Sequence, residues 1–331
     1  MKFVVIGGGG FLGKALCMRL IGDGHAVASI SRGRYVELEN AGVKCYRADI
    51  CEDLSPIGQA FEDANAVFHT ASKVEMWGDY DEFFKVNVCG TRNIIKACQK
   101  FKVPKLIYTS SPSVIADGTN LRGVDESYPY PKRFEAHYPA TKAQAEREVL
   151  QANSESLYTA ALRPHMIWGP GDTHLTATVL ERARAGRLMR VGGGKNIVDF
   201  SFIDDCVQAH IDATGALDRN SASRGRAYFV SQGEPVSLWG WIDEVLERNG
   251  LPRIKRSLPY GLAKVLACGC EAVAKLRSGS ALPLLTRFLV FEMATDHYFD
   301  ISAAKRELGY APRWTMAAAM DRTFPRSNSA L

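Results

Sequence analysis

Long apolar runs are missing from this 331-residue sequence: the longest stretches without Asp, Glu, Lys or Arg are Phe3–Gly13 and Leu106–Ala116, 11 residues each. A helix that crosses a bilayer needs about 20, so no transmembrane segment is predicted. Metal-ligand spacing is also missing. The eight cysteines include no Cys-x-x-Cys pair, and the nearest two, Cys268 and Cys270, have one residue between them, so no metal site is predicted. They read as small buried hydrophobes of a cytoplasmic chain. Charge of one sign is not concentrated anywhere: 41 Lys and Arg against 36 Asp and Glu give a net charge of +5 spread along the sequence, which offers nothing to a nucleic acid. The apolar N-terminus is interrupted by Gly7 to Gly10 and shows no small-residue cleavage pattern before Lys14, so it is not read as a signal peptide.

What is present is an ordinary globular balance, 46% hydrophobic and 23% charged, in a chain long enough for about two domains. Short β-rich runs alternate with helical stretches in the first half. Strands are predicted at Phe3–Ile6, Ala26–Ser31, Lys44–Ala48, Ala66–His69, Leu106–Ser110 and Tyr158–Arg163, with helices at Leu12–Ile21, Tyr80–Phe101 and His137–Asn153. After Pro164 the alternation weakens. Leu258–Leu276 and Ala281–Ala294 read as amphipathic helices of a second lobe, and Arg326 to Leu331 as a frayed tail.

The first strand runs into Gly7-Gly8-Gly9-Gly10-Phe11-Leu12-Gly13 and then into a helix. Glycines 7, 10 and 13 permit a tight turn and a close backbone approach, and the helix N-terminus, with Phe11 and Leu12, offers unpaired N–H groups to a pyrophosphate. This predicts dinucleotide binding on an α/β fold, a Rossmann-like doubly wound parallel sheet with a smaller, mostly helical C-terminal substrate lobe. The sheet domain is assigned to 1–168, with 195–232 returning to it, and the lobe to 169–194 and 233–331. Where an NAD site usually has a carboxylate after the second strand, this chain has Ser31-Arg32-Gly33-Arg34, so Ser31 and Arg32 point to the 2′-phosphate of NADP(H) rather than NAD(H). Asp49 and Ile50, after the third strand, are placed to meet the adenine.

Tyr138-Pro139-Ala140-Thr141-Lys142 sets a phenol and an amine at i and i+4, on one helix face. An ordinary tyrosine ionises near pH 10, and a neighbouring ammonium together with a nicotinamide cation favours the phenolate, suiting Tyr138 to proton exchange. Lys142 is also placed to hold the nicotinamide ribose. Ser111, at the end of the predicted fifth strand, is suited to orienting a substrate carbonyl, with Ser110 as the alternative.

These motifs, with Phe68-His69-Thr70-Ala71-Ser72-Lys73-Val74, Asn87-Val88-Cys89-Gly90-Thr91, Leu162 to Asp172, Phe202-Ile203-Asp204-Asp205 and Thr295 to Asp300, resemble the extended short-chain dehydrogenase/reductases, and within them the 3β-hydroxysteroid dehydrogenase group. The resemblance implies a Ser111–Tyr138–Lys142 triad, Asn87 supporting a relay water, and Thr70, Ala71, Lys73, Pro164 and Ile167 around the cofactor. It also implies a homodimer, with association with pathway enzymes or a membrane surface left open. Dehydration is disfavoured because Pro112-Ser113 follows Ser111, and epimerisation of sugar nucleotides because Val198, not Arg, precedes Asp199-Phe200. The greasy second lobe suits a hydrophobic substrate, with Trp77 and His165 as its pocket residues. The activity expected is reduction of the keto group of a long-chain β-keto acid, with oxidation of a sterol, or cofactor binding without turnover, as alternatives.

Overall fold

The apolar runs of the first half become parallel strands in the computed structural model, which describes residues 1–276 and 283–326. They are β1 (Lys2–Ile6), β2 (Ala26–Ser31), β3 (Lys44–Arg47), β4 (Ala66–His69), β5 (Lys105–Thr109) and β6 (Tyr158–Pro164), joined by β7 (Arg226–Val230). Side by side the order is 3-2-1-4-5-6-7, every pair parallel. The period of two splits each strand between two cores. Phe3, Val5, Phe68, Ile107 and Leu162 face one, with Leu16 and Leu20 of α1 (Phe11–Gly22). Val4, Ile6, Val67, Leu106 and Ala161 face the other, with Ile94 and Cys98 of α2 (Gly90–Lys100) and Val149 of α3 (His137–Gln151). Burial on both faces is why β1 and β4 read as unbroken apolar runs.

The helical run predicted from Tyr80 is broken by a π-helical stretch, Phe84–Cys89, before α2 begins. That stretch carries Asn87. The second lobe is mostly helical, as the sequence implies, with one small sheet added. It contains a four-stranded sheet in the order Val236–Ser237, Ile197–Val198, His297–Phe299 and Leu121–Val124, so a segment of the first half and the Thr295 to Asp300 motif meet there as strands. Strands of two to four residues are too short to show an alternation in sequence. Of the lobe's helices, α4 (Tyr260–Leu276) follows Pro259, and α5 (Arg287–Ala294) starts where the Thr286 hydroxyl accepts from Leu289 N–H at 3.1 Å. Residues 281 and 282, the predicted start of that helix, and the tail 327–331 lie outside the described residues. No helix among the described residues is long and apolar enough to cross a membrane.

After β1 the chain turns to the face covered by α1, and after β4 to the opposite face, so a crevice opens between their carboxyl ends. Its walls touch. Gly7 has φ +86°, and a Cβ there would sit 2.8 Å from the Ala71 nitrogen; at Gly13 a Cβ would lie 2.2 Å from the Gly7 carbonyl oxygen. Gly13→Ala is therefore expected to lower stability by about 1–3 kcal/mol through overpacking against backbone that cannot yield. Urea unfolding checks this: an unchanged midpoint would show that the turn relaxes freely.

Candidate active site

The crevice is built for a phosphate-bearing ligand. Gly7 N–H donates to Ile30 C=O (2.8 Å) and Gly10 N–H to Gly7 C=O (2.9 Å), closing the turn. Gly10 caps α1 without a side chain, so the first N–H groups of the helix, including those of Phe11 and Leu12, keep no side-chain partner there. Ser31 accepts from Gly9 N–H (3.1 Å), tying the end of β2 to the turn. Thr70 donates from its N–H (2.9 Å) and its hydroxyl (2.8 Å) to Ile6 C=O, holding Ala71 against Gly7. A glycine turn in which backbone blocks a Cβ at Gly7 and Gly13 and the helix N-terminus is left free fits a pyrophosphate laid across it, and this is the observation on which the residues present match a dinucleotide.

Of the two arginines after β2, Arg34 is committed to Glu39 (2.9 Å) and Arg32 stays exposed. Arg47, which the sequence reading did not single out, donates from Nε to Arg32 C=O (3.0 Å), adding a second guanidinium at this corner. Asp49 accepts from Cys51 N–H (2.9 Å), which holds its carboxyl below the ordinary range. Ile50 is buried with a methyl group against Gly90, where any side chain would collide with it.

The triad residues come from two elements. Ser111 lies two residues past β5, and its Oγ accepts from Ser113 N–H (3.2 Å) and Ser113 O–H (2.9 Å), which leaves its own proton to donate outward. Ser110 is buried, its N–H donating to Leu162 C=O (2.6 Å). On α3, Tyr138 and Lys142 share the face turned to the sheet. Burial pushes the Tyr138 phenol up to about 12, opposed by a hydrogen bond with Ser111 and reinforced by the Glu292 carboxylate. Lys142 is buried and drawn down to about 7, with Glu146 opposing the shift. Its Nζ donates to Thr109 C=O (2.5 Å) and sits 4.2 Å from the centre of the Tyr108 ring. Without a nicotinamide cation beside it, the Lys142 amine turns to Thr109 at the end of β5, and desolvation is the largest influence on the phenol.

Asn87 is held by its neighbours on both sides. Its Oδ1 accepts from Lys73 N–H (2.7 Å), and its amide donates to Lys73 C=O (3.1 Å) and Thr141 Oγ1 (3.1 Å). It pins the loop after β4 to α3 and has no amide hydrogen left for a relay water. Lys73 turns its ammonium to Glu82 (3.1 Å) and Glu75 (3.4 Å), so it offers backbone, not charge, to the crevice. Pro164 ends β6 beside Val230, and Ile167 begins a short strand paired with Ser201–Phe202. Trp77 is half-buried in the loop after β4. His165 is buried, with Nδ1 2.7 Å from Asp199 Oδ1. No spacing in the sequence announces that partner, or Glu146 and Arg163, whose buried bidentate pair (2.6 and 2.9 Å) lies one helical turn beyond Lys142.

A parallel sheet of this order, a glycine turn at its crossover and a Ser–Tyr–Lys set at the neighbouring strand end define the extended short-chain dehydrogenase/reductase class of nicotinamide-dependent oxidoreductases. The model of the 3-beta hydroxysteroid dehydrogenase/isomerase family matches residues 4–260, and the chain belongs to that family. It is 42% identical over 325 residues to the 2-alkyl-3-oxoalkanoate reductase of Stenotrophomonas maltophilia, covering 97% of this chain and 98% of that protein. With the enzyme of the same description from Shewanella oneidensis it shares 41% over 326 residues, 96% and 84% of the two chains. The human sterol-4-alpha-carboxylate 3-dehydrogenase, decarboxylating, is 36% identical over 331 residues, 97% and 87%. Among solved structures, UDP-glucose 4-epimerase of Thermotoga maritima superposes with a TM-score of 0.76 at 19% identity, covering 98% and 97% of the chains, and UDP-glucuronic acid 4-epimerase of Bacillus cereus with 0.74 at 21%, also 98% and 97%; both share the fold.

Lys142 yields a pH prediction. Its folded value near 7 lies below the ordinary lysine value, so between the two the unfolded chain holds one more proton than the folded chain, and unfolding free energy rises with pH. Cofactor-free wild type is expected to gain stability from pH 7 to 9 relative to Lys142→Met in urea melts. Parallel pH profiles for the two proteins would contradict it.

Proposed function

We propose that the protein is an NADPH-dependent reductase that converts 2-alkyl-3-oxoalkanoates to 2-alkyl-3-hydroxyalkanoates. The observation that carries this reading is the state of Tyr138. A phenol held near 12 by burial is protonated at neutral pH, ready to give a proton to an alkoxide, which is what reduction requires.

The two relatives at 41 and 42% identity, both described as 2-alkyl-3-oxoalkanoate reductases and spanned by almost the whole of this chain, support the substrate class. The nicotinamide, when bound, supplies hydride to the 3-keto carbon. Ser111, its acceptor lone pairs taken by Ser113, donates its hydroxyl hydrogen to the carbonyl oxygen and favours charge building there. Tyr138 then transfers its phenolic proton to the same oxygen. Lys142 would hold the ribose of the cofactor, and the glycine turn its pyrophosphate. Arg32 and Arg47 would take the 2′-phosphate as a pair of planar cations. Dehydrogenation of a sterol is the second reading, favoured by the 36% identical human relative.

Tyr138→Phe is expected to lower kcat by at least 10³-fold, with NADPH affinity within about threefold of wild type; turnover that survives would remove the phenol from the mechanism. Arg32→Ala is expected to raise KM for NADPH by about 10–100-fold and to leave KM for NADH within about threefold. Equal losses with both cofactors would reject the 2′-phosphate assignment. Cofactor oxidation measured in parallel with 2-alkyl-3-oxo acids and 3-keto sterols tests the substrate: a sterol preference would replace the first reading by the second.

A further inference from the structure

Around His165 the fold assembles a set of donors that the proposed reaction does not use. His165 Nδ1 lies 2.7 Å from Asp199 Oδ1, and the other carboxylate oxygen of Asp199 accepts from Phe299 N–H (3.1 Å), which fixes the acid in place. His297 Nε2 lies 2.8 Å from the Glu292 carbonyl oxygen. Both outer nitrogens thus face acceptors, and each carries a hydrogen. The neutral rings then have only lone pairs on the inner nitrogens, His165 Nε2 and His297 Nδ1, which face each other at 3.2 Å. Two lone pairs at that distance repel unless a cation sits against both. Both rings are buried, so bulk water does not screen them.

A third ligand completes the set. One donor atom from each of His165, Glu292 and His297 lies within 4.8 Å of the other two, and the Glu292 carboxylate, on a side chain 22% exposed, stands 4.0 Å from His297 Nε2. In a tetrahedral zinc site with Zn–N bonds of about 2.0–2.1 Å, two ligating nitrogens stand about 3.3 Å apart. The observed inner separation matches that edge. The outer contacts match as well: a carboxylate on one imidazole and a carbonyl on the other are the partners that orient metal-bound histidines and select their tautomers.

We propose that His165 Nε2, His297 Nδ1 and the Glu292 carboxylate bind a divalent transition-metal cation of the zinc class, with water in the fourth position and Asp199 as a positioning residue. The ligands come from three places: the end of β6, helix α5 and the short strand His297–Phe299. The two histidines are 132 residues apart, which is why no spacing in the sequence announces them. The inference does not depend on the identity of the substrate.

The test is metal binding by the full-length protein, stripped with a chelator, desalted and titrated with zinc chloride by calorimetry and with cobalt chloride by visible absorption. One equivalent is expected to bind with a Kd below 1 μM, with the absorption of four-coordinate cobalt. His297→Gln is expected to weaken binding by at least 100-fold, Glu292→Gln by at least 10-fold and Asp199→Asn by 10- to 100-fold. NADPH binding followed by fluorescence, unchanged in each variant, establishes that these proteins fold. Wild type that binds no more metal than folded His297→Gln overturns the proposal. So does an anomalous-scattering peak at surface cysteines in a zinc-soaked crystal, and so does a nitrogen NMR spectrum showing one extra proton shared by the two rings in the presence of excess zinc.

Discussion

Lys142 is the residue on which the geometry of the site turns. It occupies the interior between α3 and the sheet, donates to the carbonyl of Thr109 at the end of β5, and lies over the ring of Tyr108. Desolvating an amine is costly, and the structure answers with a strong hydrogen bond, a π face and a carboxylate one turn away. Because Lys142 is tied to the last residue of β5, the first turn of α3 is held over the segment that immediately follows that strand. Tyr138 and Ser111 are brought together by this single anchoring point, from positions 27 residues apart in the chain.

The carboxylate behind Lys142 is itself constrained. Glu146 is fully buried, and Arg163 of β6 meets it with two hydrogen bonds while Tyr130 donates a third at 2.6 Å. A buried pair of this kind adds little net stability against an apolar alternative, but removing one partner strands the other and costs about 3–5 kcal/mol. Its effect is to fix geometry. It joins α3 to β6 at a defined height, so the helix that carries the phenol is positioned against two strands, and Glu146 supplies the negative charge that moderates the depression of the Lys142 amine.

Much of this was legible in the sequence, for reasons that can be named residue by residue. Burial on both faces gives the central strands their apolar runs, six of the seven main strands were read with the exposed edge strand β3 among them, and a helix of period 3.6 places Tyr138 and Lys142 on one side. The glycine turn was legible because backbone blocks a side chain at Gly7 and Gly13. What failed to show is tertiary. The lobe's sheet is made of strands too short to alternate. The direction in which Lys142 points depends on the depth at which α3 docks, so its influence on Tyr138 could not be read from i, i+4 spacing. Asn87 read as a support for water, yet the π-helical turn that carries it brings its amide onto the backbone of Lys73. Asp199, Glu292 and His297 meet His165 only because the lobe's strands bring distant segments together.

The comparison with epimerases shows how little the fold decides alone. A TM-score of 0.76 at 19% identity places almost every element of this chain on a sugar-nucleotide enzyme, yet the chemistry at equivalent strand ends is set by a handful of side chains. Here Ser111 caps the 3₁₀ turn that Pro112-Ser113 opens, and Ser113 supplies it with hydrogen-bond donors rather than a neighbouring acid pair. Val198 is buried in the lobe's sheet, paired with Val236. The fold is shared with the epimerases, whereas the side chains at Ser111, Pro112, Ser113 and Val198 are this chain's own.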